Sequence, residues 1–233
     1  MRPRHELTAP WVSPRLRKGE REMPEIDPRL RFILVTGNVG AGKSTLAKTL
    51  ERRLPGWTRV DADYFANQID TRLVAEWRAR GERRMPSWRD SRIPGYALAL
   101  RQVRDLSSGD SPVLLEACIN QAKEAQSFRI AARAEGVGQS CTIQLKCSLD
   151  TALGRRIGAW NVPVGWGPPH SQTRFMRLYE AYNNPLNTFS LDLPGSVVIC
   201  TDGITPKDVL DRALTALPRR PAEGTESDQK EPP

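Results

Sequence analysis

The stretch Gly37-Asn38-Val39-Gly40-Ala41-Gly42-Lys43-Ser44-Thr45 constrains this chain more than any other. It has the spacing G-x-x-x-x-G-K-[ST], and its flanks are those such a loop requires. Ahead of it, Arg31 to Thr36 is a short apolar, β-branched run suited to a buried parallel strand. Behind it, Leu46, Leu50 and Leu54 fall on one helical face, and Pro55-Gly56 ends that helix. A strand that enters a helix through glycines can bring backbone N–H groups and the positive end of the helix dipole against an anion. The spacing therefore predicts a nucleoside triphosphate site. Lys43 would reach the β- and γ-phosphates, and the Ser44 hydroxyl would ligate Mg²⁺.

Further strands can be placed in order after the loop. Trp57 to Asp61 reads as a second strand that runs into Asp61-Ala62-Asp63. Two carboxylates one residue apart would point to one side if the extended conformation continued, at the end of a parallel strand where ligands lie. Either could accept the proton of an attacking hydroxyl, fix Mg²⁺ through water, or cap the next helix; Asp63 is favoured for the chemistry, with Asp61 as alternate. Pro112 to Ile119 reads as a third strand, interrupted by Glu116. A charge inside a core strand needs a partner, and beside a phosphate loop that partner is a hydrated metal or a basic group. Cys141 to Cys147 and Gly195 to Thr201 supply two more strands. The helix from Thr205 opens with Thr, Pro and a third-position Asp, a capping signature.

Residues 72–104 carry nine arginines against three acidic residues, with Trp77, Trp88 and Tyr96 among them. Arginine suits phosphate and aromatic rings suit base stacking, so an anionic or nucleic-acid acceptor is one reading; a solvated helical insertion is the other. Pro86 and Pro94 are expected to break the segment, with a helix resuming near Gly95. Residues 160–173, rich in Gly and Pro, read as a lid loop. Residues 1–29 and 218–233 read as disordered extensions around a folded domain at 30–217.

Of 233 residues, 35 are basic and 27 acidic, a net charge of +8 that suits anionic ligands without dictating them. No apolar run reaches the ~18 residues of a membrane span, and the N-terminus has no apolar core of a secretory signal. The four cysteines lack metal-ligand spacing and read as reduced core residues of a cytoplasmic protein.

Taken in order, these features resemble the P-loop kinases of the nucleoside, gluconate and polynucleotide kinase type, grouped with the zeta-toxin-like predicted kinases. The resemblance spans about residues 31–217. It rests on Gly37 to Thr45, Asp61-Ala62-Asp63, the Glu116 strand, Cys147-Ser148-Leu149-Asp150 to Arg155, Tyr179-Glu180 and Thr201-Asp202-Gly203. It implies a three-layer α/β fold with a five-stranded parallel sheet in the order 2-3-1-4-5. It implies ATP and Mg²⁺, with Glu116 supporting the metal, Asp63 serving the acceptor and Asp202 beside the adenine. Arg155 matches the first lid arginine of the family, while Ala159 stands where a second is common, so Arg156 or Arg174 would have to substitute. The activity implied is transfer of the γ-phosphate to a hydroxyl. The alternative is a P-loop NTPase that couples ATP hydrolysis to conformational change or nucleic-acid binding. Oligomeric state is not legible.

Overall fold

The computed structural model describes residues 26–81, 88–119, 122–137, 140–159 and 196–220. In chain order the elements are β1 (Phe32–Gly37), α1 (Lys43–Arg53), β2 (Thr58–Asp61), α2 (Ala62–Arg80), α3 (Trp88–Ser108), β3 (Val113–Glu116), α4 (Ala122–Ala134), β4 (Ser140–Lys146), α5 (Leu149–Ala159), β5 (Ser196–Cys200) and α6 (Pro206–Ala216). The strands form one parallel sheet ordered β2-β3-β1-β4-β5, as expected.

β1 is central and every one of its residues is buried, which is why its sequence reads as an unbroken apolar run. Its side chains still alternate between two cores. Ile33 and Val35 face Leu46, Ala47 and Leu50 of α1 and Val209, Leu210 and Ala213 of α6. Phe32 and Leu34 face Tyr96, Ala99, Leu100 and Val103 of α3 and Phe128 of α4. The capping box forms as its sequence predicts: the Thr205 hydroxyl accepts from the Asp208 amide, and the Asp208 carboxylate accepts from the Thr205 amide.

The segment at 72–104 departs from its expected form. Pro94 lies inside α3, which starts at Trp88 rather than near Gly95. The ring removes one backbone donor, a cost of roughly 3 kcal/mol in an ordinary helix interior. Packing offsets it here. A Cβ on Gly95 would stand 2.8 Å from the Ala66 backbone nitrogen, so glycine lets α3 lie directly on α2. Tyr96 is core rather than a stacking platform: it is 1% exposed, and its hydroxyl donates to the Cys118 carbonyl at 2.8 Å.

At the other end, Ile26 bridges to Arg219 and the Asp27 amide donates to the Pro218 carbonyl, so ordered chain continues past the expected boundaries at 30 and 217. Residues 1–25, 221–233 and the expected lid loop at 160–173 lie outside the described residues. Cys118, Cys141, Cys147 and Cys200 are free thiols. Among the described residues, no helix is long and apolar enough to cross a membrane.

Candidate active site

The C-terminal edge of the sheet gathers the loop, the two aspartates and Glu116. Gly37 ends β1, and the chain turns through Asn38 to Gly42 into α1. Gly42 is the N-cap of α1 at φ 95°, a left-handed conformation that favours glycine, and a Cβ there would meet nothing within 4 Å. Open space therefore lies in front of the first turn of α1, where helix geometry leaves N–H groups without intrahelical acceptors. Asn38 ties the loop to β4: its amide donates to the Leu145 carbonyl at 3.1 Å and its Nδ2 to the Cys147 carbonyl at 3.3 Å. Val39 packs against the core and Ala41 is buried within it, while Ser44 and Thr45 are exposed. Lys43 lies back along the loop, its Nζ donating to the Asn38 carbonyl at 2.9 Å.

Glu116 is the last residue of β3 and pairs in register with Val35 on one side and Asp61 on the other. Its Oε1 accepts from the Ser44 hydroxyl and its Oε2 from Arg59 at 3.1 Å. Burial raises its pKa; Ser44, Lys43 and Arg59 pull it back down, and Asp61 pushes it up. Of the partners expected for a charge in this strand, a hydrated metal or a basic group, the basic group is present as Arg59, and the Ser44 hydroxyl joins it. Sequence reasoning missed Arg59. Its signal was its place two residues before Asp61, on the same side of β2.

Of the two aspartates, Asp61 takes the capping role that the sequence left open. Asp61 is the N-cap of α2, its Oδ1 accepting from the Asp63 amide at 2.9 Å. Asp63, in the first turn, has a buried Oδ1 with no hydrogen-bond partner among the described residues. Burial raises its pKa, Arg92 and Lys43 lower it, and Asp61 raises it. Arg92 projects from α3, only 2% exposed, and pairs with Glu124 of α4 at 3.0 Å. Neither Arg92 nor Glu124 had a distinguishing sequence signal.

Arg155 and Asp202 stand on the other flank. Arg155 donates to the Gly40 carbonyl at 3.2 Å, to Thr201 Oγ1 at 2.8 Å and to the Thr201 carbonyl at 2.6 Å. Thr201 in turn donates to the Ala41 carbonyl at 3.3 Å. Arg155 therefore braces the loop against the end of β5. Asp202 accepts from the Ser148 amide at 2.9 Å and from its hydroxyl at 3.0 Å, tying the same end of β5 to the start of α5. Bonds from Thr151 and Ser148 hold its pKa at about 2.

Of the arginines at 72–104, Arg72 and Arg80 pair with Glu76, Arg101 and Arg104 with Glu135, and Arg92 with Glu124. Among the described residues, no group of three or more His, Cys, Asp or Glu side chains could hold a metal by itself.

No family model matches the chain, and no curated protein matches it. Solved structures do. A sugar kinase from Janibacter sp. HTCC2649 superposes with a TM-score of 0.55 at 16% identity, over 80% of this chain and 93% of that one. The tunicamycin resistance protein of Deinococcus radiodurans gives 0.53 at 18% identity, over 83% and 99%. A gluconokinase from Sinorhizobium meliloti gives 0.52 at 17% identity, over 84% and 93%. With its parallel sheet ordered β2-β3-β1-β4-β5 and the glycine-rich loop after β1, the chain has the fold of these solved structures.

Proposed function

We propose that the protein is an ATP-dependent phosphotransferase that moves the γ-phosphate to a hydroxyl of a small-molecule acceptor. The observation that carries this reading is Asp63: a carboxyl oxygen buried without a partner, close enough to Lys43 and Arg92 to feel both charges. A buried orphan acceptor is costly unless a ligand completes it, and an acceptor hydroxyl is a donor of the right kind. The solved kinases of the same fold lend support at the level of fold alone.

The residues fit Mg²⁺ carried in with the nucleotide. Ser44 Oγ and the Glu116 carboxylate stand side by side, and an ion that keeps phosphate and water ligands needs no protein cage. When bound, Mg²⁺ would supply charge neutralisation on the phosphates. Ser44 would be its direct ligand, and Glu116 would support it.

Asp63 accepts the proton of the acceptor hydroxyl as that oxygen bonds to the γ-phosphorus and the bond from the γ-phosphorus to the β–γ bridging oxygen breaks. Lys43 leaves the Asn38 carbonyl and, with the loop N–H groups, holds the charge that gathers on the leaving phosphate. Arg155 acts through the loop, holding Gly40 and Thr201 in place, and is a positioning residue. Asp202 fixes the β5 end beside the expected adenine site. The ion pairing of Arg72, Arg80, Arg92, Arg101 and Arg104, with Tyr96 buried in the core, favours a small acceptor over a nucleic acid.

The test uses purified protein, Mg²⁺ and γ-labelled ATP against sugars, sugar acids, nucleosides and 5′-hydroxyl oligonucleotides, with Lys43→Ala as control. Label on one class of small acceptor, lost in the control, is the expected result. Label released only as free phosphate would move the assignment to a nucleotide hydrolase. Label on oligonucleotides alone would replace the small acceptor with a nucleic acid.

A further inference from the structure

Arg59 stands on β2 beside the Ser44–Glu116 contact, and it divides its bonds between two carboxylates. Its Nη1 donates to Glu116 Oε2 at 3.1 Å, while its Nε donates to Glu51 of α1 at 3.3 Å. A guanidinium holds a carboxylate most strongly as a fork, with two parallel bonds to the two oxygens. Arg59 does not fork onto Glu116. It takes one oxygen and leaves Oε1 to the Ser44 hydroxyl. An arginine placed only to neutralise a buried carboxylate would gain by making both bonds.

The four side chains close a circuit. Ser44 and Glu51 are seven residues apart on α1, two turns along one face. Arg59 is in register with Leu114, so its side chain runs diagonally to Glu116, which pairs with Asp61. The circuit therefore fixes α1, β2 and β3 relative to one another beside the first turn of α1. Its two ends differ in exposure: the Glu116 side chain is 5% exposed and that of Glu51 42%. The shielded bond to Glu116 is the stronger constraint, and the bond to Glu51 steadies the arginine that makes it.

The consequence falls on Ser44. A hydroxyl has one proton to donate and two lone pairs. While Glu116 Oε1 takes that proton, the Ser44 oxygen is left as an acceptor only, the form that ligates a cation. Oε1 keeps this task only while the carboxylate is prevented from turning, and Arg59 on Oε2 prevents it.

We propose that Arg59 is a positioning residue for the metal site: it pins Glu116 so that the Ser44 hydroxyl presents its lone pairs to a nucleotide-borne Mg²⁺. The proposal rests on the phosphate-site half of the reading above, and on neither Asp63 nor the acceptor. Both bonds of Arg59 go to carboxylates of the chain, so it acts through Glu116.

The test is equilibrium binding of the β,γ-imido analogue of ATP to the full chain by calorimetry, in Mg²⁺ and in EDTA. The ratio of the two affinities reads the contribution of the metal and needs no phosphate transfer. In Arg59→Met this ratio should fall by about tenfold or more, the usual loss when the partner behind a metal site is removed, with affinity in EDTA near the wild type. Arg59→Lys keeps the charge without the planar fork that spans two carboxylates, so its ratio should lie between the two. Glu51→Gln spares the shielded bond and should lower the ratio by about two- to fivefold, the scale of an exposed ion pair. Thermal unfolding checks that Arg59→Met, which leaves Glu116 buried without its cation, is folded; if it is not, Glu51→Gln carries the test.

A wild-type ratio in Arg59→Met, or in Glu51→Gln where Arg59→Met does not fold, overturns the proposal and makes the circuit a structural clamp. Wild-type binding that is the same in Mg²⁺ and EDTA overturns it too. Absence of binding by the wild type in both conditions overturns the phosphate-site reading itself and the proposal with it, which tells the two failures apart.

Discussion

On the loop side of the sheet edge, three side chains already have partners: Lys43 donates to Asn38, Ser44 to Glu116, and Arg59 to Glu116. On the acceptor side, Asp63 keeps one oxygen buried and unpartnered among the described residues. The difference teaches how the two sites are made ready. On the proposed reading, the loop is held by internal bonds that a nucleotide would exchange for its own. On that reading the Asp63 side stores an unsatisfied group whose completion is left to the ligand, which costs stability in its absence.

The largest break in this contrast is predicted for Asp63→Asn. Phosphate transfer should fall by about 10²- to 10⁴-fold, the usual range for losing a general base, while nucleotide binding persists. Transfer by the wild type should also fall as pH drops through the raised pKa of Asp63, which a pH–rate profile reads directly. Lys43→Ala attacks the other half. It should reduce transfer by about 10²- to 10³-fold and weaken nucleotide binding as well, measured by titration with a fluorescent nucleotide.

Arg155→Met sharpens the comparison, because it removes a brace rather than a contact with the reacting atoms. A loss of about tenfold in transfer is expected, corresponding to about 1.4 kcal/mol, with the same acceptor preference. The smallest effect is the control. Thr205→Ala removes the cap of α6 and should cost about 1 kcal/mol in denaturant unfolding with unchanged specific activity.

How far the sequence reaches follows the same division. The phosphate side is local: Gly37 to Thr45 is one continuous stretch whose backbone geometry is written in its glycines, and the apolar run of β1 marks the centre of the sheet. The capping box of α6 is equally local. The acceptor side is assembled from distant pieces. Arg92 looks like one of many arginines at 72–104, and its burial against Glu124 on α4 distinguishes it from exposed Arg72 or Arg101. Pro94 and Tyr96 misled for a related reason: a helix breaker and a stacking aromatic were read from residue type, whereas α2 packing and the Cys118 carbonyl set their roles. Asp61 and Asp63 were indistinguishable by spacing until the start of α2 assigned the cap to one of them.

The most direct test measures nucleotide binding and phosphate transfer side by side in wild type and Asp63→Asn, with the acceptor identified by γ-labelled ATP. The account predicts nearly equal binding and a transfer rate lower by about 10²-fold or more in the variant. Transfer that survives the substitution, or that falls only in step with nucleotide binding, would contradict the assignment of Asp63 as the base.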